Sequence, residues 1–90
     1  MIPRNRPRTY PGEMLLEEFL LPMGMTQREL AQGLGLSVQA VNLIIEGRTG
    51  ITAEIAGRLS RVFKSSAQFW LGLQMDWDLW HAERKLSAAG

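Results

Sequence analysis

Amide and hydroxyl side chains cluster in one short stretch of the chain, and their chemistry suits contact with the base edges of DNA. Ser37, Gln39, Ala40 and Asn42 occur together, and Gln27 lies ten residues before them. Gln and Asn can each form two hydrogen bonds with adenine, and an Ala methyl can meet the thymine methyl group. A helix face that only met solvent would more often carry Glu and Lys here. This group of residues therefore predicts a surface that reads DNA.

The elements that must position these side chains are two short helices joined by a tight turn. Ala31 is small where the first helix must pass close to the second, and Gly35 lies in the turn, where glycine tolerates a positive φ. Val41 and Ile44 lie three residues apart on the second helix and share its inner face. Ser37 stands at the N-cap. The pattern predicts a helix-turn-helix whose second helix enters the major groove. The alternative is a helical hairpin that only builds a core.

Apolar residues recur at helical spacing along most of the chain, with no strand-like alternation of useful length. We expect a first helix that starts near Gly12 and is ended by Pro22 and Gly24. The later helices have cap residues at Thr26 (in a capping box with Glu29), Ser37, Thr52, and Ser65 or Ser66. The recognition helix covers about residues 38–45, the fourth helix 53 to about 63, and the fifth about 66–85. Five such helices predict an all-α orthogonal bundle.

The composition limits the classes of protein that remain. The chain has 90 residues, which fit one domain, and its 46% hydrophobic content is enough for a core. It has no cysteine, which excludes disulfides and thiolate metal sites. With no membrane-spanning run and no secretory signal, we expect a cytoplasmic protein that does not contact a membrane. The net charge is only +1, so binding to DNA must depend on where the charges lie.

The first residues differ from the rest of the chain. Arg4, Arg6 and Arg8 alternate with prolines and an asparagine, and prolines at this density prevent a helix. We therefore predict a basic arm over residues 1–9, followed by the helix-turn-helix domain over residues 10–86. Such an arm could follow phosphates or enter a minor groove. The alternative is a charged tail that is only solvated.

All three tryptophans lie in the predicted fifth helix. Trp70, Leu73, Trp77 and Trp80 are three, four and three residues apart, so they form one apolar stripe. We expect its first part to close the core, and Leu73, Trp77 and Trp80 to contact a second copy, because interfaces are enriched in large aromatics. A dimer would place two recognition helices about 34 Å apart on a palindromic operator. The alternative is that one monomer buries all three tryptophans.

Patterns for catalysis or metal binding are not found in the sequence. His81 is the single histidine, and no cysteine offers a second ligand at metal-binding spacing. Glu17 and Glu18 are adjacent and diverge on a helix, so they are not a catalytic pair. There is no phosphate-binding loop, nucleophile elbow or dinucleotide fingerprint. The sequence predicts a protein that is not an enzyme and uses no metal and no cofactor.

Three blocks that extend beyond the helix-turn-helix resemble one bacterial family. They cover residues 10–27, 47–53 and 66–74, and the last block is followed by residues 78–80. The Pro-Gly-Glu opening at 11–13, combined with Phe-Trp-Leu-Gly-Leu-Gln at 69–74, is more specific than the helix-turn-helix alone. In these blocks the chain is similar to the HigA antitoxins of type II toxin–antitoxin modules, in the lambda-repressor-like (Xre) class. The resemblance covers about residues 10–82.

The resemblance implies a five-helix lambda-repressor-like DNA-binding domain that forms a dimer. Such proteins neutralise a HigB/RelE-like toxin that cleaves mRNA, and they repress their own operon. Carried over to this chain, the DNA-facing positions are Gln27, Ser37, Gln39, Ala40 and Asn42, with Arg48 at a phosphate contact in the following loop. Two alternatives stay open: a stand-alone Xre-type transcriptional regulator without a toxin partner, and a helical module that packs only against protein.

Three residues depart from the family pattern. Gly33 could end the second helix early, because glycine is a poor helix former. Leu43 places an apolar group where a polar one is common. Gly57 lies within the fourth helix, where it costs about 1 kcal/mol in helix propensity. These departures concern the packing more than the predicted function.

Overall fold

The computed structural model describes residues 10–89, so the predicted arm over residues 1–9 lies outside them. The described residues form five helices and no strand. Helix α1 spans residues 11–23, with α-helical ends at Pro11–Met14 and Leu21–Met23 and a π-helical middle at Leu15–Leu20. The others are α2 (Gln27–Leu34), α3 (Val38–Ile45), α4 (Ala53–Phe63) and α5 (Ala67–Ala89). The predicted all-α, five-helix fold is confirmed.

The helix starts follow the predicted caps. Thr26 and Glu29 form the capping box of α2: the hydroxyl accepts from the N–H of Glu29 at 3.1 Å, and the carboxylate accepts from the N–H of Thr26 at 2.9 Å. Ser37 Oγ accepts from the N–H of Ala40 at 3.0 Å and starts α3. The hydroxyls of Thr52 and Ser66 do the same for α4 and α5. Short polar side chains therefore fix where these four helices begin.

Glycines end the helices on either side of the turn. Gly35 has a φ of 72° and Gly47 a φ of 76°, both in the left-handed region. After α2, the N–H of Leu36 bonds to the carbonyl of Ala31. After α3, the N–H of Arg48 bonds to the carbonyl of Leu43. Each bond closes a C-terminal turn of the Schellman type, so α2 and α3 both end in a closed turn.

Helix α1 differs from the prediction. It begins at Pro11, whose fixed φ suits the first helical position, and Pro22 lies inside the helix rather than ending it. A proline within a helix has no N–H to donate, and its ring crowds the carbonyl four residues earlier. The preceding π-helical turn, in which the N–H of Leu21 bonds to the carbonyl of Leu16, widens the helix at this carbonyl. Gly24, with a φ of 65°, then ends the helix as predicted.

The ends of α2 and α5 also differ from the prediction. Helix α2 continues through Gly33 to Leu34, because Gly35, not Gly33, supplies the left-handed residue that closes it. Helix α5 continues beyond Lys85 to Ala89. Its last turns contain Leu86 and two alanines, which are strong helix formers and favour continuation. The fifth helix is therefore a 23-residue rod.

The core is formed where α1, α2, α3 and α4 meet the first turn of α5. Its fully buried large side chains are Trp70, Leu15, Leu20, Leu30, Leu59 and Val41. The indole N–H of Trp70 donates to Ser65 Oγ at 2.8 Å, so the buried tryptophan leaves no polar atom unsatisfied. Phe19 packs on the Trp70 ring with a centroid distance of 5.0 Å. This arrangement confirms the expectation that the first part of the tryptophan stripe closes the core.

Candidate DNA-binding surface

Helices α2 and α3 form the helix-turn-helix, and their apolar sides face each other. Ala31 of α2 and Val41 and Ile44 of α3 are buried in the core, as their spacing predicts. A small residue at Ala31 lets the two backbones approach closely. Burial of this side of α3 leaves its other side facing outward at the surface of the domain.

The outward side of α3 presents the predicted polar residues. Ser37 and Gln39 are exposed, and Ala40 and Asn42 are half-buried. Ser37 Oγ accepts the capping hydrogen bond with one lone pair, so its hydroxyl hydrogen and its second lone pair are both still available. Gln39 lies in the first turn of α3, the part of a recognition helix that contacts base edges. The structure thus brings these four residues to one surface.

Gln27 joins the same surface through a hydrogen bond across the two helices. Asn42 Nδ2 donates to Gln27 Oε1 at 3.3 Å, and both side chains are half-buried. Gln27 is the first residue of α2, where unpaired backbone N–H groups favour a phosphate. This hydrogen bond restricts the motion of both side chains, so binding of a ligand to them would cost less conformational entropy.

Arg48 lies where predicted, in the loop after α3, but it is not isolated. Its Nε lies 3.3 Å from Glu46 Oε1, and the Arg48 side chain is 72% exposed. An exposed ion pair of this kind contributes about 0–1 kcal/mol and is easily broken. A phosphate that approached this guanidinium group would therefore have to compete with Glu46.

Two neighbours of the predicted residues share this surface and were not selected from the sequence. Val38 opens α3 beside Ser37 and is 40% exposed. A branched apolar side chain at that place can meet a thymine methyl group. Arg28 is exposed in the first turn of α2, next to Gln27. The sequence could have indicated both residues, because they lie in the first turn of their helix, where side chains point away from the core.

The loop that carries Arg48 is attached to α5 by a single glutamine. Gln74 Oε1 accepts from the N–H of Ile51 at 2.7 Å, and Gln74 Nε2 donates to Asp78 Oδ1 at 3.0 Å. Gly50 allows this close approach, because a Cβ there would lie 3.1 Å from the Gln74 amide. The position of α5 is therefore linked to the segment that follows the recognition helix.

The three residues predicted to form a dimer interface make contacts within the chain. Leu73 packs against the core. Trp77 is half-buried, with its ring 5.5 Å from that of Tyr10 and 4.2 Å from that of His81. Trp80 is half-buried, and the Arg84 guanidinium lies over its ring at 4.7 Å. Their part in a dimer stays a prediction.

The described residues provide neither a metal site nor a membrane-spanning helix. No group of three or more His, Asp or Glu side chains within residues 10–89 is arranged to hold a metal ion. None of the five described helices combines the length and the apolar character that crossing a membrane requires.

A helix-turn-helix family model matches residues 16–70, which include α2, α3 and α4. The chain belongs to the Xre-type helix-turn-helix family. The matched segment contains Gln27, Asn42 and the other predicted DNA-facing residues.

Several proteins of this family are similar to the chain over most of its length. Antitoxin HigA-1 of Vibrio cholerae is 38% identical over 74 residues, which are 82% of this chain and 70% of the relative. The HTH-type transcriptional regulator YbaQ of Escherichia coli is 38% identical over 82 residues, 91% of this chain and 73% of the relative. The solved structure of the Pseudomonas aeruginosa antitoxin HigA with the higBA promoter has a TM-score of 0.87 and 39% identity, covering 93% of this chain and 90% of that one. The predicted resemblance to HigA antitoxins is confirmed.

Proposed function

We propose that this protein is a cytoplasmic antitoxin that represses its own operon. In this proposal it binds a palindromic operator as a dimer, and it neutralises a HigB/RelE-like toxin that cleaves mRNA. The observation that carries the DNA-binding part is the hydrogen-bonded pair of Gln27 and Asn42 beside exposed Gln39 at the start of a capped helix. The similarity to a HigA antitoxin whose structure contains promoter DNA supports the same conclusion.

The pairing of Asn42 with Gln27 leaves both side chains able to bind DNA. Asn42 Nδ2 carries two hydrogens, and Gln27 takes one of them. The second hydrogen and Oδ1 form the donor and acceptor that a bidentate contact with adenine requires. Gln27 keeps its two Nε2 hydrogens for a phosphate oxygen. The pair can therefore contact a base and the backbone at the same time.

Binding to the chain's own promoter tests the DNA-binding part. We expect fluorescence anisotropy to give a specific complex whose affinity falls steeply with salt, because contacts to phosphates release counterions. Combined Gln39→Ala and Asn42→Ala substitutions should weaken operator binding at least about 30-fold, since a good base contact is worth about 1–3 kcal/mol. Combined Gln32→Ala and Gln68→Ala is the matched control, because both glutamines are exposed outside α3. An equal loss in both double variants would contradict the assigned surface.

Binding of a toxin needs a surface away from α3, and we place this surface on α1. Glu17 and Glu18 are exposed there, next to exposed Leu21 and Met23 at the end of the helix. Acidic side chains beside apolar ones match a basic protein that binds RNA. A bound toxin at this place would leave the recognition surface open.

Co-expression with the neighbouring reading frame tests the toxin-binding part. A small basic protein that arrests growth alone, and co-purifies with this chain when both are present, is the expected result. Glu17→Lys with Glu18→Lys should abolish rescue of growth, whereas Glu83→Lys with Asp76→Lys on α5 should not. If all variants rescued growth, the result would contradict a toxin-binding surface on α1.

The alternative is a stand-alone Xre-type transcriptional regulator without a toxin. It is supported by the similarity to YbaQ, whose name is that of an uncharacterised HTH-type transcriptional regulator and mentions no toxin. The two functions share the operator contacts, so DNA binding does not separate them. A neighbouring gene product that neither arrests growth nor co-purifies with the chain, while operator binding is intact, would establish the alternative.

A further inference from the structure

The loop that carries Arg48 lies over an open cavity and is held at its two ends. The cavity has a volume of about 210 Å³, and residues 47–50 of the loop line it together with Gln74, Trp77 and Asp78 of α5. Residues 47–50 are also exposed to solvent on their outer side. Because side chains do not fill the space beneath the loop, its conformation depends on the contacts at its ends.

The start of the loop is held by an aromatic ring. A Cβ at Gly47 would lie 3.2 Å from two ring carbons of Tyr10, so this ring packs directly on the Gly47 backbone. The N–H of Gly47 bonds to the carbonyl of Ile44 at 3.1 Å, which ties the same residue to the end of α3. The position of the first loop residue is therefore fixed by neighbours on both sides.

The end of the loop is held by Gln74. Its Oε1 accepts from the N–H of Ile51 at 2.7 Å, and its Nε2 donates to Asp78 Oδ1 at 3.0 Å. A carboxylate only accepts, so Asp78 determines that the amide turns its oxygen toward the loop. The side chain of Ile51 is buried, but Gly50 leaves the peptide group between the two residues free to rotate. The hydrogen bond from Gln74 is what fixes this peptide group.

We propose that Gln74 is a positioning residue for operator binding. It acts through the loop, which it holds in the conformation that presents Arg48 to a phosphate oxygen. This inference rests on the operator binding of the proposed function and adds a residue from outside residues 16–70, the segment that the helix-turn-helix family model matches. A loop that is ordered in advance loses less conformational entropy when its arginine binds a phosphate.

Anisotropy titrations of the full chain with its own promoter test the role of Gln74. Gln74→Ala should weaken operator binding about 3- to 10-fold, the range that one lost hydrogen bond can produce. It should also reduce the slope of log affinity against log salt, as Arg48→Ala does, because the phosphate contact is weakened. Gln68→Ala removes an exposed glutamine of the same helix and should change neither value. Equal effects of Gln68→Ala and Gln74→Ala would overturn the inference.

A double variant separates positioning of Arg48 from a general loosening of the fold. Once Arg48→Ala is present, Gln74→Ala should weaken binding by less than about 2-fold, because the side chain that it positions is gone. Circular dichroism checks that each variant keeps its helices. If Gln74→Ala weakens binding equally with and without Arg48, Gln74 does not act through the arginine and the inference fails.

Reversal of the hydrogen bond between residues 74 and 78 gives a rescue test. Gln74→Glu alone places two carboxylates side by side and should weaken operator binding. Adding Asp78→Asn supplies an amide that donates to the new carboxylate, which then accepts from the N–H of Ile51 as well. The net charge is that of the natural chain, and binding should return to within about 2-fold of it. A double variant that binds no better than Gln74→Ala would contradict the role of this hydrogen bond.

Amide exchange in the free protein tests the contact without DNA. In nuclear magnetic resonance spectra, the N–H of Ile51 should exchange with solvent at least about 10-fold faster in Gln74→Ala than in Gln68→Ala, because its acceptor is lost. Equal exchange in the two variants would overturn the inference. A natural chain that does not bind its promoter would contradict the proposed function, whereas intact binding that ignores Gln74→Ala would overturn only the role of Gln74.

Discussion

Gly12 of α1 lies directly against the carbonyl group of Ile44, in the last turn of the recognition helix. A Cβ at residue 12 would overlap that oxygen and come within 2.8 Å of the Cα of Ile45. Both neighbours are backbone atoms, so no side-chain rotation can relieve the contact. The orientation of the recognition helix therefore depends on a residue that would not itself contact DNA.

The first prediction compares two glycines in helices. Gly12→Ala should lower the free energy of unfolding by about 2–3 kcal/mol, because the methyl group forces α1 away from α3. Gly57→Ala in α4 should instead raise it by about 0.5–1 kcal/mol, because no atom lies within 4 Å of the added Cβ and alanine favours the helix. Urea denaturation followed by circular dichroism measures both. Similar effects of the two substitutions would contradict the packing of α1 on α3.

The second prediction concerns the hydrogen bond between Gln27 and Asn42. Asn42→Ala should weaken operator binding by about 1–3 kcal/mol through loss of a base contact. Gln27→Ala should weaken it as well, because Asn42 loses the acceptor that orients it. In a double-mutant cycle the two losses should fall short of additive by at least about 0.5 kcal/mol. Strictly additive losses would show that the hydrogen bond does not assist binding.

Much of the candidate DNA-binding surface could be predicted from the sequence, because the interactions that position its helices are local. Ser37 and Thr26 cap helices through atoms three residues away, and Gly35 ends α2 within one turn. The hydrogen bond between Gln27 and Asn42 could not be predicted, since it joins two helices whose relative position depends on the whole core. The sequence identified the residues that face outward, and tertiary packing determined which of them touch.

The place of Pro22 in α1 and the end of α5 differ from the prediction for other reasons. Pro22 is a reliable end of an ordinary α-helix, and only the π-helical turn before it lets the helix continue. Helix α5 continues beyond Lys85 because its last turns contain Leu86 and two alanines, which are strong helix formers.

The third prediction uses the ion pair between Arg48 and Glu46. Arg48→Ala should reduce the slope of log affinity against log salt by about one, because one phosphate contact is lost. Glu46→Gln should instead strengthen operator binding, since it frees the Arg48 guanidinium from its 3.3 Å partner. Anisotropy titrations at several salt concentrations give both values. An unchanged slope in Arg48→Ala would show that this arginine faces away from the phosphates.

The fourth prediction concerns the buried indole of Trp70. Its N–H donates to Ser65 Oγ at 2.8 Å, and its side chain is fully buried. Ser65→Ala leaves that donor without a partner and should lower the free energy of unfolding by about 1–3 kcal/mol. For a domain of this size each kcal/mol lowers Tm by about 4–8 °C. Ser87→Ala, on the exposed end of α5, is the control and should change Tm little.

A double variant separates the hydrogen bond from other effects of Ser65. Trp70→Phe removes the N–H along with part of the ring, so it destabilises the core through lost packing. Once it is present, Ser65→Ala should cost much less than in the natural chain, because no donor is left unsatisfied. Thermal unfolding monitored by circular dichroism gives all four values of the cycle. If Ser65→Ala is equally harmful with Phe at residue 70, the serine acts through the loop before α5 and not through the indole.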